Sequence, residues 1–336
     1  VPSLAVAEAL TARGVSVTFA GSPDRIEAEL VPRAGYEFDA FRIRGFPRRP
    51  GRALLRAVFL AGRAPVECVR ILRRRRPDVV LGGGGYVAGP VVLAAGTLRI
   101  PSALMEADAH LGLANRLAAP WARRVFLAFP VVGRESGKYR VVGRPVPARA
   151  RPTEDTVGAR ARFGLPPDGP VVLVFGGSQG ARALNDAALA AYADEGPAVL
   201  HLAGAAHADA VAERVRREDY VVLPFTDDFG AALAAADVVV ARAGGSVWEL
   251  AAAGKPALLV PYPHATADHQ AKNARHFERA GGALVVQEAE LDLRRHVDVL
   301  LADPDRLRAM SEVMRSLARP DAADAIAEEL IALASA

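Results

Sequence analysis

Cysteine is nearly absent: Cys68 stands alone in 336 residues. A single thiol excludes an internal disulfide and every cysteine-cluster metal site, and a reducing compartment suits it best. Cys68 itself reads as inert. Long apolar runs are missing too. The longest, YVAGPVVLAAGTL, stops at Arg99, short of the roughly 20 residues that span a bilayer, so no segment is expected to cross a membrane. The first residues lack the basic cluster and clean apolar stretch of a secretory signal. They also lack an initiating methionine, for which truncation is the simpler explanation.

What is present is the composition of a folded protein, 51% hydrophobic and 24% charged with 24 scattered prolines, and enough chain for two domains. The net charge of +4 conceals an asymmetry. Residues 1–150 hold 24 Lys and Arg against 11 Asp and Glu, and the remainder holds 18 against 27. A basic first half and an acidic second half imply different partners. Residues 41–77 concentrate the effect, with twelve arginines and one acid interleaved with Phe41, Phe46, Leu54, Leu55, Val58, Phe59 and Leu60. Basic and apolar residues together suit an anionic bilayer surface. An amphipathic helix with a core face and solvated arginines explains the pattern equally. Nucleic acid is the weaker reading, because aromatic residues for base stacking are few.

The chain opens VPSLAVAEALTARG, a helix with Pro2 in its first turn, Leu4, Ala7 and Leu10 on one face, and Gly14 as its stop. Strands follow near VSVTFA, DVVLGG, SALMEA, RVFLAF and YRVVG, then near PVVLVFGG, AVLHLAG, YVVLPF, DVVVARAGG and PALLVPY, alternating with helical stretches. That alternation predicts an α/β fold of parallel, doubly wound sheets. A stretch rich in Pro and Arg at about 144–170 separates the two series. The last helix, PDAADAIAEELIALAS, suits a place on either domain.

In such sheets ligands bind beyond the carboxyl ends of the strands. VVLVFGGSQGARALNDAAL gives strand, turn and helix, and lets backbone N–H groups at a positive helix end approach a phosphate. The alternative is that Gly176, Gly177 and Gly180 only make a tight turn. The spacing is neither GxGxxG nor a Walker loop, so nicotinamide and ATP chemistry are not supported. DVVLGGGGYVAGP repeats the arrangement with Gly82–Gly85, for a second phosphate or as a bland turn. VVVARAGGSVWELAAAGK places Gly244, Gly245 and Ser246 at a helix start and Glu249 in its first turn. That carboxylate can accept from two vicinal hydroxyls, as on a ribose, or simply face the helix dipole. His264, Asp268, His269 and Gln270 follow the next strand, in no common zinc spacing, which favours sugar contacts over a metal. Glu106, Asp108 and His110 end a first-domain strand, for acid–base work or as capping charges.

Together these segments resemble the MurG family, the UDP-N-acetylglucosamine transferases that convert lipid I to lipid II in peptidoglycan synthesis. The resemblance covers nearly the whole chain through PSLAVAEAL, DRIEAELVP, RPDVVLGGGGYVAGP, GLANRLAA, VFGGSQGARALN, FTDDF and ELAAAGKPALLVPYPHATADHQAKNA. It implies a GT-B fold with a cleft between two Rossmann-like domains: 1–147 for the lipid acceptor, 148–318 for the UDP-sugar, and a helix at 319–336 able to return to the first domain. It assigns Ser178 to the nucleotide phosphates and Gly245, Ser246, Val247 and Trp248 to phosphate and sugar. Glu249 takes the ribose, Gln270 the N-acetylglucosamine and Thr226 the uracil, while Gly83, Gly84, Gly85 and Tyr86 take the acceptor diphosphate. Residues 41–77 match the membrane-facing region, implying peripheral attachment at the cytoplasmic face. No cofactor, metal or nucleic acid is implied.

Departures from the family pattern matter as well. A loop of form GGTxGH, whose histidine is the proposed general base, is expected just ahead of Val1, and without it this form should be nearly inactive. Within the chain Glu106 is then the candidate for proton transfer. The family's HEQN stands here as Met105, Glu106, Ala107 and Asp108, and GNPVR as Gly143, Arg144, Pro145, Val146 and Pro147. Asp108 and Arg144 are therefore the expected stand-ins toward substrate. The rival readings are another GT-B transferase, a UDP-sugar epimerase, or a non-catalytic UDP-sugar-binding protein at the membrane.

Overall fold

The computed structural model describes residues 2–43, 51–135, 137–177 and 180–336, with 52–58 and 61 described by their backbone alone. The chain divides into two compact units, Val1–Pro145 with Pro320–Ala336, and Val146–Arg319.

In the first unit α1 (Pro2–Thr11) leads to β1 (Thr18–Gly21), α2 (Glu27–Arg33) and β2 (Glu37–Ala40). There follow α3 (Arg52–Arg75), β3 (Val80–Gly82), α4 (Gly85–Thr97), β4 (Ser102–Glu106), α5 (Leu113–Ala118), β5 (Arg124–Leu127) and β6 (Tyr139–Val141). All strand pairs are parallel, β1 with β2, and β3–β4–β5–β6 in that order. β4 is central and buried at every residue. α3 turns Ala64, Cys68, Ile71 and Leu72 inward, at the spacing of one helix face, onto Phe41, Val80 and Ala94. Burial there pushes the Cys68 thiol up to about 12, so it stays protonated and unreactive.

The second unit runs α6 (Thr156–Arg162), β7 (Val171–Phe175), α7 (Arg182–Tyr192), β8 (Ala198–Leu202), α8 (Ala208–Ala212), β9 (Tyr220–Leu223) and α9 (Phe229–Ala235). It continues with β10 (Val238–Ala241), α10 (Val247–Ala252), β11 (Ala257–Leu259), α11 (His269–Ala280), β12 (Ala283–Val285), α12 (Val299–Leu301) and α13 (Pro304–Leu317). Its sheet is ordered β12–β11–β10–β7–β8–β9, all parallel. The order reverses between β7 and β10, and Phe175 is in register with Ala241. The turns that leave these two strands are thus neighbours at the topological switch point, where doubly wound sheets bind ligands. α14 (Ala322–Ala334) returns to the first unit, where Ile326, Ala327 and Leu330 join Val6, Leu10, Met105 and Phe126 in one core.

Two strands were absent from the sequence expectation, β2 (EFDA) and β12 (ALV). Both are short edge strands, which carry little of the apolar alternation that marks a strand. β1 also begins at Thr18, three residues into the expected VSVTFA run.

Candidate functional site

After β7 the chain turns sharply, and the glycines are compelled rather than convenient. A β-carbon on Gly176 would collide with Ala181, and one on Gly180 with the Ala203 carbonyl oxygen. Gly177 and Gly180 also take φ of +93° and +74°, the left-handed region that side chains rarely enter. Ser178 lies outside the described residues, as does Gln179. α7 then opens at Ala181 with neither a side-chain cap nor an acid in its first turn. Its positive end therefore faces the switch point without a carboxylate of its own.

The turn after β10 is fixed from behind. The Arg242 guanidinium, 8% exposed, donates to the Val260 and Pro261 carbonyls, pairs with Glu288 and lies over the Tyr262 ring at 5.4 Å. It ties the end of β10 to the chain leaving β11. Asn273, fully buried on α11, donates to the Ala243 carbonyl at 3.3 Å. Between these anchors Gly245 and Ser246 are half-buried, and Glu249 is half-buried in the first turn of α10.

Val247 and Trp248, which the resemblance assigns with this turn to phosphate and sugar, have buried side chains. Val247 is fully buried, and Trp248, 4% exposed, packs edge-on against Phe277 at 5.4 Å. Both side chains belong to the core, which leaves only their backbone for a ligand. Gln270 is half-buried and accepts from the Tyr262 N–H at 2.8 Å, which ties α11 to the loop after β11. Ahead of it Ala267 and Asp268 both adopt positive φ, a strained turn for residues with side chains. Thr226 Oγ accepts from the Asp228 N–H at 3.1 Å and shapes its own turn.

In the first unit the Gly-rich turn ends β3. Gly84 and Gly85 take positive φ at the start of α4, and a β-carbon on Gly83 would strike the Ser3 side chain. The Tyr86 hydroxyl accepts from Arg25 Nε at 2.8 Å, with the guanidinium over the ring. Glu106, read from sequence as the candidate for proton transfer, is 7% exposed and has both oxygens engaged. Oε1 accepts from the Ala107 and Asp108 N–H groups, and Oε2 from Gly112 N–H and Asn115 Nδ2, the latter two at 2.9 Å. Here it organises the loop between β4 and α5, a structural use that leaves no oxygen for an attacking hydroxyl. Asp108 and Arg144 are half-buried.

The basic stretch is partly structural. Arg74 and Arg75 are spent on Asp39, with Arg75 also on Glu37, and these guanidinium partners hold the Asp39 carboxyl below its ordinary range. Earlier in α3, Phe59 and Val66 are exposed, with the Arg63 guanidinium over the Phe59 ring. Residues 44–50, with Phe46, Arg48 and Arg49, lie outside the described residues. Among the described residues no helix is long and apolar enough to cross a membrane, and no three metal-ligating side chains gather as a binding set.

Sequence reasoning missed the asparagines that hold these loops, Asn115, Asn185 and Asn273. Each sits within a helix, where a short polar residue reads as a surface position.

Residues 1–127 match the glycosyltransferase family 28 N-terminal domain, and residues 171–326 its C-terminal domain. A protein of Acidithiobacillus ferrooxidans (strain ATCC 53993 / BNL-5-31), the UDP-N-acetylglucosamine--N-acetylmuramyl-(pentapeptide) pyrophosphoryl-undecaprenol N-acetylglucosamine transferase, is 45% identical over 98% of this chain and 93% of its own. The protein of the same name from Rubrobacter xylanophilus is 40% identical over 97% of this chain and 98% of its own. The crystal structure of Acinetobacter baumannii MurG superposes with a TM-score of 0.76 at 28% identity, covering 98% of this chain and 95% of that one. A UDP-N-acetylglucosamine 2-epimerase shares the fold, with a TM-score of 0.66 at 16% identity over 98% of this chain and 93% of its own.

Proposed function

The chain belongs to the MurG transferases of glycosyltransferase family 28, and from that premise we infer its reaction and the residues that serve it. It is a glycosyltransferase of GT-B fold that moves N-acetylglucosamine from UDP-N-acetylglucosamine to lipid I, giving lipid II for peptidoglycan synthesis. The acceptor's 4-hydroxyl attacks the anomeric carbon in line and gives its proton to a general base or water, a β-1,4 bond forms with inversion, and UDP departs with the electron pair of the broken bond. The chemical need is to stabilise charge growing on the leaving diphosphate. Preorganised backbone N–H groups meet that need without reorganisation.

The observation that carries the reading is the glycine-dependent turn after β7, set beside the turn after β10 on the adjacent strand end. In this reading the start of α7, with Ser178, and the turn of Gly245 and Ser246 grip the diphosphate, with Val247 and Trp248 contributing backbone N–H groups only. Glu249 accepts from the ribose hydroxyls, Thr226 lies toward the uracil and Gln270 toward the sugar. On the acceptor side, Gly83, Gly84, Gly85 and Tyr86 hold the lipid diphosphate, and Asp108 and Arg144 lie toward substrate. Attachment is peripheral, at the cytoplasmic face, with residues 41–77 against anionic lipid. The exposed Phe59 beside Arg63 supports that contact.

Transfer of labelled N-acetylglucosamine to lipid I by the purified protein is the test, with UDP titrated by calorimetry into wild type and Glu249→Ala. Transfer and weaker binding in the variant are expected. UDP-sugar binding without transfer to lipid I would overturn the acceptor assignment, and unchanged affinity in Glu249→Ala would remove the ribose contact.

A further inference from the structure

The second unit holds a buried polar chain that the transfer chemistry does not use. Asn185, His201 and Tyr220, from α7, β8 and β9, are 3%, 0% and 4% exposed. Their hydrogen bonds fix one polarity throughout. Asn185 Nδ2 donates to the Ala203 carbonyl at 3.0 Å, so its Oδ1 is the atom 3.0 Å from His201 Nε2. Oδ1 can only accept, which puts the imidazole proton on Nε2. His201 Nδ1 then accepts from the Tyr220 hydroxyl at 2.9 Å. Both ring nitrogens are satisfied in the neutral form, and burial keeps the ring neutral by lowering its pKa to about 4.

The chain ends on the Ala203 carbonyl oxygen, the atom that forbids a β-carbon on Gly180. The Gly180 turn therefore rests on an oxygen whose position Asn185 sets. Asn185 is also bonded through its own N–H to the Ala181 carbonyl at 2.9 Å, so side chain and backbone together pin the first turn of α7 to the end of β8. Strands β7, β8 and β10 supply Val172, Val174, Val199, Val238 and Val240 to the surrounding core. Burying three polar residues beside them costs desolvation, and only a fully paired network keeps that cost low.

We propose that Asn185, His201 and Tyr220 form a positioning relay that holds Ala203 and the Gly180 turn so that the first-turn N–H groups of α7 aim at the nucleotide diphosphate. The relay rests on the reading that this turn grips the diphosphate. None of the three touches substrate. Their effect is on donor binding, transmitted through one carbonyl oxygen.

Calorimetric titration of UDP into wild type, His201→Leu, His201→Gln and Asn185→Leu tests it, with thermal unfolding in parallel. Glutamine can still donate to Asn185, and leucine cannot. We expect UDP to bind five- to twentyfold more weakly to both leucine variants and within threefold of wild type to His201→Gln. Folded leucine variants that bind within twofold of wild type overturn the relay. If they do not fold, Tyr220→Phe decides, because it removes one oxygen and keeps the ring. Faster hydrogen exchange at the amides of residues 180–185 supports the relay, and unchanged exchange overturns it. The two readings fail differently. A wild type that ignores UDP removes the diphosphate reading and the relay with it, whereas a wild type sensitive to Glu249→Ala but not to His201→Leu removes the relay alone.

Discussion

A carboxylate at the end of a strand invites a chemical role, and Glu106 invites one from its place beside Asp108 and His110. Its four accepted hydrogen bonds give it a different task. Glu106→Ala would strand three backbone N–H groups and one of the two Asn115 amide hydrogens, the other still donating to the Met105 carbonyl, and is expected to cost about 2–4 kcal/mol in urea unfolding. Gly180→Ala should be costly for another reason, since it adds a β-carbon against the Ala203 oxygen at a left-handed φ. About 2 kcal/mol of stability and most of the UDP affinity should be lost, measured by thermal unfolding and calorimetry. Glycine positions are legible in a sequence because few other residues fit such turns. The direction of Val247 and Trp248 is not, since one helix start presents residues to both core and ligand and only packing against Phe277 decides.

At the scale of elements, the alternation of apolar runs and helices conveyed the parallel sheets, because buried strands are nearly continuous in Val and Leu. β2 and β12 escaped because edge strands need only one partner and few apolar residues. His201 escaped as well, since a histidine in a run such as AVLHLAG reveals nothing of the Asn185 and Tyr220 that pair with it. β8 thereby acquires a pH response. The neutral ring is held down to about 4, whereas an unfolded histidine takes a proton near 6.5. Below that value the unfolded chain binds a proton that the folded one refuses. Stability should therefore be complete above about pH 6.5 and fall by up to about 3 kcal/mol as the pH drops toward 4. Urea unfolding across this range in wild type and His201→Gln measures it, and the glutamine variant should show the smaller slope.

For the whole molecule, the charge asymmetry read from the sequence places the basic residues in the unit that the family reading gives to the lipid acceptor. Some of that charge is internal, because Asp39 and Glu37 occupy Arg74 and Arg75. The remainder predicts salt-sensitive binding to anionic vesicles. Changing Arg48, Arg49, Arg52 and Arg56 to glutamate should abolish flotation with such vesicles while UDP binding stays intact. The return of α14 has a separate consequence, for synthesis. Ile326, Ala327 and Leu330 complete a core begun by Val6 and Leu10, more than three hundred residues earlier. On the ribosome, α14 emerges long after α1, and only then can the core around Val6 and Leu10 close. The second unit can settle while the first waits with an open apolar face, the interval in which a chaperone would matter most.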